Sequence, residues 1–166
     1  MNKPSFLAAT QPEDFKLIEA LAGPIWRGHY TPIIGAGQVE YMLQQRQTAK
    51  AVEEQIRHGD FYYLIQTPEG EKSGYLSVSF RPDELFLSKL YLLKSHRGQG
   101  LARKALGFIE DLARSKGLKR ITLTVHKQNP SVKIYQALGF RILESVITDI
   151  GGGYVMDDYR MALDLA

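Results

Sequence analysis

The sequence predicts an α/β domain, a mixed and mostly antiparallel sheet flanked by helices, with its elements in the order β-αα-βββ-α-β-α-ββ. Three observations point there. Apolar residues recur at helical spacing before residue 60, and the period changes to that of strands between residues 61 and 93. The three apolar segments of that second stretch are separated by two turns, TPEGEK and RPDE, as in an antiparallel meander. A glycine loop then leads from the last of these strands into a long helix, and another strand follows it.

Taken in order, residues 5–10 read as the first strand. Thr10-Gln11-Pro12-Glu13 has the form of a capping box with a proline in the first turn, so a helix starts there. Phe15, Ile18, Leu21, Ala22 and Ile25 keep helical spacing, and Gly23-Pro24 is expected to bend or break it. The stretch WRGHYTPIIGAG reads as a loop. Val39, Met42 and Leu43 mark a second helix, and Thr48 caps another that ends at Gly59. Phe61–Gln66, Ser73–Phe80 and Leu85–Leu93 are the meander strands. A helix runs from Leu101 to about Lys116, stopped by Gly117, and Ile121–His126 is a strand with Ile121, Leu123 and Val125 on one face. Pro130–Leu138 is a short helix closed by Gly139; Arg141–Ile150 and Tyr154–Leu165 are two strands joined by three glycines.

The chain has 166 residues, which is one domain's worth, so residues 1–166 are expected to form a single domain. With no cysteine it has no disulfide scaffold, thiolate zinc site, iron–sulfur cluster or cysteine nucleophile. No apolar run approaches a membrane span, and the first residues lack the pattern of a signal peptide, so a soluble cytoplasmic protein is expected. The net charge is +3, unevenly spread: Lys94 to Lys133 holds ten Lys or Arg against two acids, leaving the remainder at −5. Such a block suits an anionic partner, although a solvated basic face has the same composition.

That basic block contains LSKLYLLKSHRGQGLARKAL, a strand, a glycine loop and a helix start. A helix N-terminus offers unpaired N–H groups and the positive end of the helix dipole, and glycines let a phosphate approach the backbone. Arg97, Arg103 and Lys104 add full charges. The loop is neither a Walker A sequence nor a GxGxxG fingerprint. Arg97-x-x-Gly100-x-Ala102, following LYLL and opening a helix, resembles the Q/R-x-x-G-x-G/A signature of the GCN5-related N-acetyltransferases. About thirty residues on, NPSVKIYQALGF resembles that family's next motif, with its tyrosine three residues ahead of Gly-Phe. The order of elements fits from near Phe6 to Leu165. HYTPIIGAGQVEYML is similar, more faintly, to a bacterial subgroup that includes polyamine acetyltransferases.

The resemblance implies acetyl-coenzyme A as co-substrate, no metal, and transfer by direct attack of an amine without an acyl-enzyme. The backbone of Gly98, Gln99, Gly100, Leu101, Ala102 and Arg103, with Arg97, would hold the pyrophosphate. Leu90, Tyr91 and Leu92 would pair with the pantetheine arm, on a strand splayed from its neighbour, and the Leu92 N–H would face the developing oxyanion. Asn129 corresponds to an asparagine that binds the arm, although counting back from Tyr135 lands on Gln128. Tyr135 matches the tyrosine beside the coenzyme A sulfur, where a phenol can protonate the leaving thiolate.

The sequence names no general base. Thr124 stands where related protein-acetylating enzymes carry a glutamate, His126 is nearby, and Glu40, Asp149, Asp157 and Asp158 remain. His29, His58 and His96 are scattered without metal-ligand spacing. Trp26, Tyr30 and Tyr41 either line an acceptor pocket or pack beneath the first helices. The expected acceptor is a small-molecule amine or polyamine; the alternatives are a peptide N-terminus or lysine, and a non-catalytic acyl-CoA-binding module. A homodimer is compatible with the sequence. Nucleic acid fits poorly, since aromatic-interleaved recognition segments are absent.

Overall fold

The computed structural model describes residues 3–165. Strand β1 (Ser5–Ala8) is followed by three helices, α1 (Pro12–Ile34), α2 (Ala36–Arg46) and α3 (Ala49–Arg57). The meander is β2 (Phe61–Gln66), β3 (Lys72–Phe80) and β4 (Leu85–Leu92). Then come α4 (Leu101–Ser115), β5 (Arg120–His126), α5 (Ser131–Ala137), β6 (Arg141–Gly151) and β7 (Tyr154–Asp164). The seven strands form one sheet in the order β1-β2-β3-β4-β5-β7-β6, and every pairing is antiparallel except β4 with β5. The element order is as expected, with the helical stretch after β1 divided in three.

Two expectations fail within α1. The stretch read as a loop is helical except at Gly35, where α1 gives way to α2, and Gly23-Pro24 does not end α1, which runs on to Ile34 with Pro24 and Pro32 inside it. Ile25, Trp26 and Tyr30 continue the buried face begun by Phe15, Ile18, Leu21 and Ala22. An interior proline costs about 3 kcal/mol. Each large apolar side chain buried contributes roughly 1.5–3 kcal/mol, so three of them outweigh the cost at Pro24, and Ile33 and Ile34 pack against the same core beside Pro32. Both prolines lie on the exposed side. The cap is also displaced by one position: Asp14, not Glu13, reaches back, and its carboxylate accepts from the N–H groups of Thr10 and Gln11 at 3.0 Å each.

The sheet separates two cores. One lies against α4 and α5 and includes Leu76, Leu87, Ile109, Leu123 and Met161. The other lies under α1–α3 and includes Ile18, Trp26, Val39, Tyr62 and Tyr75. Strand β4 serves both through a bulge: Ser77 pairs with Lys89 but Val78 with Leu87, so Ser88 is an extra residue. The slip changes parity. Leu85 and Leu87 join the α4-side core before it, and Leu90 and Leu92 pack there after it, while Tyr91 faces α1.

Candidate active site

Strands β4 and β5 pair only at Leu85–Ile121 and Phe86–Thr122. Beyond these residues they diverge around a cleft of about 520 Å³. Leu93 N–H donates to Ser73 O at 2.8 Å. Hydrogen-bonded and non-bonded pairs alternate in an antiparallel ladder. Tyr91–Tyr75 is therefore a bonded pair, whereas Leu92–Gly74 and Leu90–Leu76 are not. The N–H and C=O of Leu90 and Leu92 thus turn from β3 toward the cleft, leaving a free strand edge; Tyr91 turns its own toward β3. Arg97 Nε donates to Leu92 O at 3.2 Å, which ties the loop to this edge.

The cleft reaches the N-terminus of α4. Gly98 (φ 78°) and Gly100 (φ 77°) are left-handed, a conformation that disfavours a side chain, and a Cβ at either would meet nothing within 4 Å. Open space therefore lies before a turn whose first N–H groups have no helical acceptor. Arg97, Gly98, Gly100, Leu101, Ala102 and Arg103 all line the cleft. Gln99 does not; its side-chain amide turns back to Ser95 O at 3.5 Å. Free strand edge, glycine turn and cationic side chains together fit a diphosphate-bearing acyl carrier.

On the opposite wall stand Asn129 and Tyr135. Asn129 Oδ1 accepts from Ser131 N–H at 2.8 Å, which starts α5, and it is 3.1 Å from His29 Nε2 of α1. Gln128 borders a second cavity of about 770 Å³ instead, together with Pro24, Gly28, Pro32 and Ser95. Tyr135 packs edge-on against Phe140, and burial pushes its phenol well above the ordinary range. Tyr30 also lines the cleft; its hydroxyl is 3.0 Å from that of Tyr91, and burial pushes it up to about 12. Trp26 belongs to the core and donates to Tyr75 Oη at 3.0 Å. Tyr41 donates to Ile150 O at 3.0 Å, so it ties α2 to the β6–β7 hairpin.

The other candidate groups separate by their partners. Glu40 is paired with Arg27, Asp157 with Lys127, and Asp149 accepts from Gly151 N–H. His58 bonds Glu54 O, His96 bonds Glu71, and His126 Nδ1 accepts from Gln128 N–H. Thr124 lines the cleft and His126 does not. Asp158 is 8% exposed with Oδ1 unpartnered, and burial beside Asp157 raises it to about 6. Two residues of the cleft receive no role from the sequence: Lys89 is not named, and His29 is weighed only as a metal ligand. Lys89, lowered by burial to about 8, lies within 3.2 Å of Ser88 Oγ. His29 borders both cavities. Its helical spacing from Ile25 was the available signal, masked by the glycines and prolines around it. Among the described residues no group of three His, Cys, Asp or Glu is placed to hold a metal ion, and no helix is long and apolar enough to cross a membrane.

Residues 30–140 match the family model described as acetyltransferase (GNAT) family. The chain is 32% identical over 85 residues to the uncharacterized N-acetyltransferase YdgE of Bacillus subtilis (strain 168), covering 48% of this chain and 54% of that protein. It thus spans little more than half the length of the curated relatives it matches, 54% and 58% for the first two. The fold is similar to a GCN5-related N-acetyltransferase from Rhodopseudomonas palustris (TM-score 0.82, 16% identity, 99% and 98% of the two chains). It is also similar to the PaiA N-acetyltransferase of Thermoplasma acidophilum, solved with coenzyme A (TM-score 0.78, 18% identity, 99% of each chain).

Proposed function

The chain belongs to the acetyltransferase (GNAT) family, and from that premise we propose that it carries the acetyl group of acetyl-coenzyme A to the primary amine of a small molecule, a polyamine first among the candidates. The observation that carries this reading is the parting of β4 and β5 over the glycine turn of α4. Acetyl-coenzyme A supplies an activated thioester carbonyl. The turn from Arg97 to Arg103 would hold its diphosphate through backbone N–H groups and two guanidinium charges. The free edges of Leu90 and Leu92 would take the pantetheine amides as an added strand, alongside Tyr91, with Asn129 across the gap. The Leu92 N–H is then available to the carbonyl oxygen as charge develops on it. Tyr135, held protonated by burial, is suited to give its proton to sulfur.

A small acceptor is supported by the roof over the far face of the sheet. Gln38 Nε2 donates to Val155 O at 2.8 Å and Tyr41 to Ile150 O, so α2 is fastened to the β6–β7 hairpin and leaves less room there for an extended chain. The test is purified protein, acetyl-CoA and a panel of polyamines, other small amines and peptides, read by free-thiol release. Thiol release with small amines is expected. Acetylation of peptides alone would move the acceptor to protein, and cofactor binding without turnover would leave an acyl-CoA-binding module. Calorimetry with no heat at millimolar acetyl-CoA would remove the donor assignment.

A further inference from the structure

The reading above leaves the acceptor's proton without a destination. An ammonium has no lone pair to attack with, so an unprotonated base must first take its proton. Of the four histidines, His29 alone lines the cleft among the described residues. It also lines the second cavity, and with Arg97 and Pro130 it forms the boundary between the two.

Its hydrogen bond fixes which nitrogen is free. The backbone N–H of Ser131 can only donate, so the Asn129 atom that meets it at 2.8 Å is the carbonyl oxygen. That same oxygen is 3.1 Å from His29 Nε2. Two donors therefore converge on one acceptor, Nε2 carries the hydrogen, and in the neutral ring the lone pair is on Nδ1. No hydrogen bond reaches Nδ1 among the described residues. His126 is the contrast, since its Nδ1 is occupied by Gln128 N–H and its ring is outside the cleft.

We propose that His29 Nδ1 is the base that accepts the acceptor's ammonium proton, and that Asn129 is a positioning residue that holds His29 in the required tautomer. The inference rests on the acetyltransfer reading. The step balances. One proton passes from –NH3⁺ to Nδ1, making an imidazolium that returns it to water. The nitrogen lone pair forms the C–N bond as the carbonyl π pair moves to oxygen, and the return of that pair breaks the C–S bond. The second proton shed by nitrogen restores the phenol of Tyr135, whose own proton has gone to sulfur. Partial burial lowers the pKa of His29 below its ordinary value, the bond to Asn129 opposes this and the charge of Arg97 adds to it, so the neutral ring is favoured. The groups that face it are Arg97 from the loop before α4, Tyr30 from its own helix and the neutral Asn129 before α5.

Three measurements test this together: nitrogen-15 NMR of the imidazoles, pH–rate profiles of His29→Gln, and the same profiles for Asp158→Asn. The NMR is expected to show His29 neutral at pH 7 with its proton on Nε2, whether or not substrate is present. His29→Gln is expected to lower kcat/KM for the amine about 10²–10³-fold near neutral pH. The loss should shrink as pH rises and more amine is free, with acetyl-CoA binding and Tm unchanged. An Nδ1–H tautomer, or a wild-type profile in His29→Gln, would overturn the assignment while leaving acetyltransfer standing. Loss in Asp158→Asn alone would transfer the role to that carboxylate. A wild-type protein that turns over no amine would remove both readings.

Discussion

Burial keeps the Tyr135 hydroxyl protonated far past neutral pH, so it borders the cleft as a donor. Tyr135→Phe keeps the ring against Phe140 and is expected to lower kcat by about tenfold to a hundredfold. The loss should fade at high pH, where an unprotonated thiolate departs unaided; an unchanged kcat across the pH range would end the role. Asp158 titrates in the opposite sense from a paired carboxylate. Its folded value of about 6 lies above the ordinary 3.8, so the folded state holds the proton more tightly than the unfolded chain. The stability this gives is complete below 3.8 and is lost as pH rises through about 6. Asp158→Asn, which cannot ionise, should therefore gain Tm on wild type as pH rises from about 4 to about 6 and keep that gain above it. A constant gap would mean that the carboxylate is solvated. Arg97, Gly100, Asn129 and Tyr135 were legible in the sequence because each sits in a local motif. Lys89 was not, and His29 and Asp158 were named there without a role, because what distinguishes all three is burial by elements distant in sequence.

At the scale of the element, local signals worked where local forces decide. Thr48 caps α3, with Ala51 N–H donating to its hydroxyl at 3.1 Å, and Gly117 (φ 71°) ends the turn after α4. They failed in α1, where tertiary burial overrode two prolines. The bulge in β4 was visible as a phase slip in LFLSKLYLL, since Leu85 and Leu87 keep one parity and Leu90 and Leu92 the other. The turn before α4 can be tested directly. Gly100→Leu forces a side chain into a left-handed residue at a cost of about 1–2 kcal/mol. That is roughly 2–8 °C in Tm for a domain of this size, so the fold should survive. The added side chain would fill the open space before the turn, so acetyl-CoA should no longer raise Tm. A variant stabilised by the cofactor as strongly as wild type would show that the phosphate binds elsewhere.

At the scale of the molecule, the charge imbalance has a physical address. Arg97 and Arg103 of the basic segment line the cleft, while the carboxylates of Glu40, Glu144 and Asp149 belong to other elements. A cationic mouth draws anions by a field that salt screens within about 8 Å at physiological ionic strength. The second-order rate constant for acetyl-CoA binding is accordingly expected to fall as salt is raised, with dissociation changing less; stopped-flow titration would detect it, and a salt-independent rate would assign the basic face to solvent. The parting of β4 and β5 has a consequence in time as well as in space. The amides of Leu90 and Leu92 belong to a central strand yet have no strand partner on their side. Their hydrogens should exchange with deuterated solvent in seconds, as those of an edge strand do, while their neighbour Tyr91, bonded to β3, stays protected far longer. A filled cleft would erase that alternation, so the slowing of every second amide along one strand reports occupancy without any chemistry having to occur.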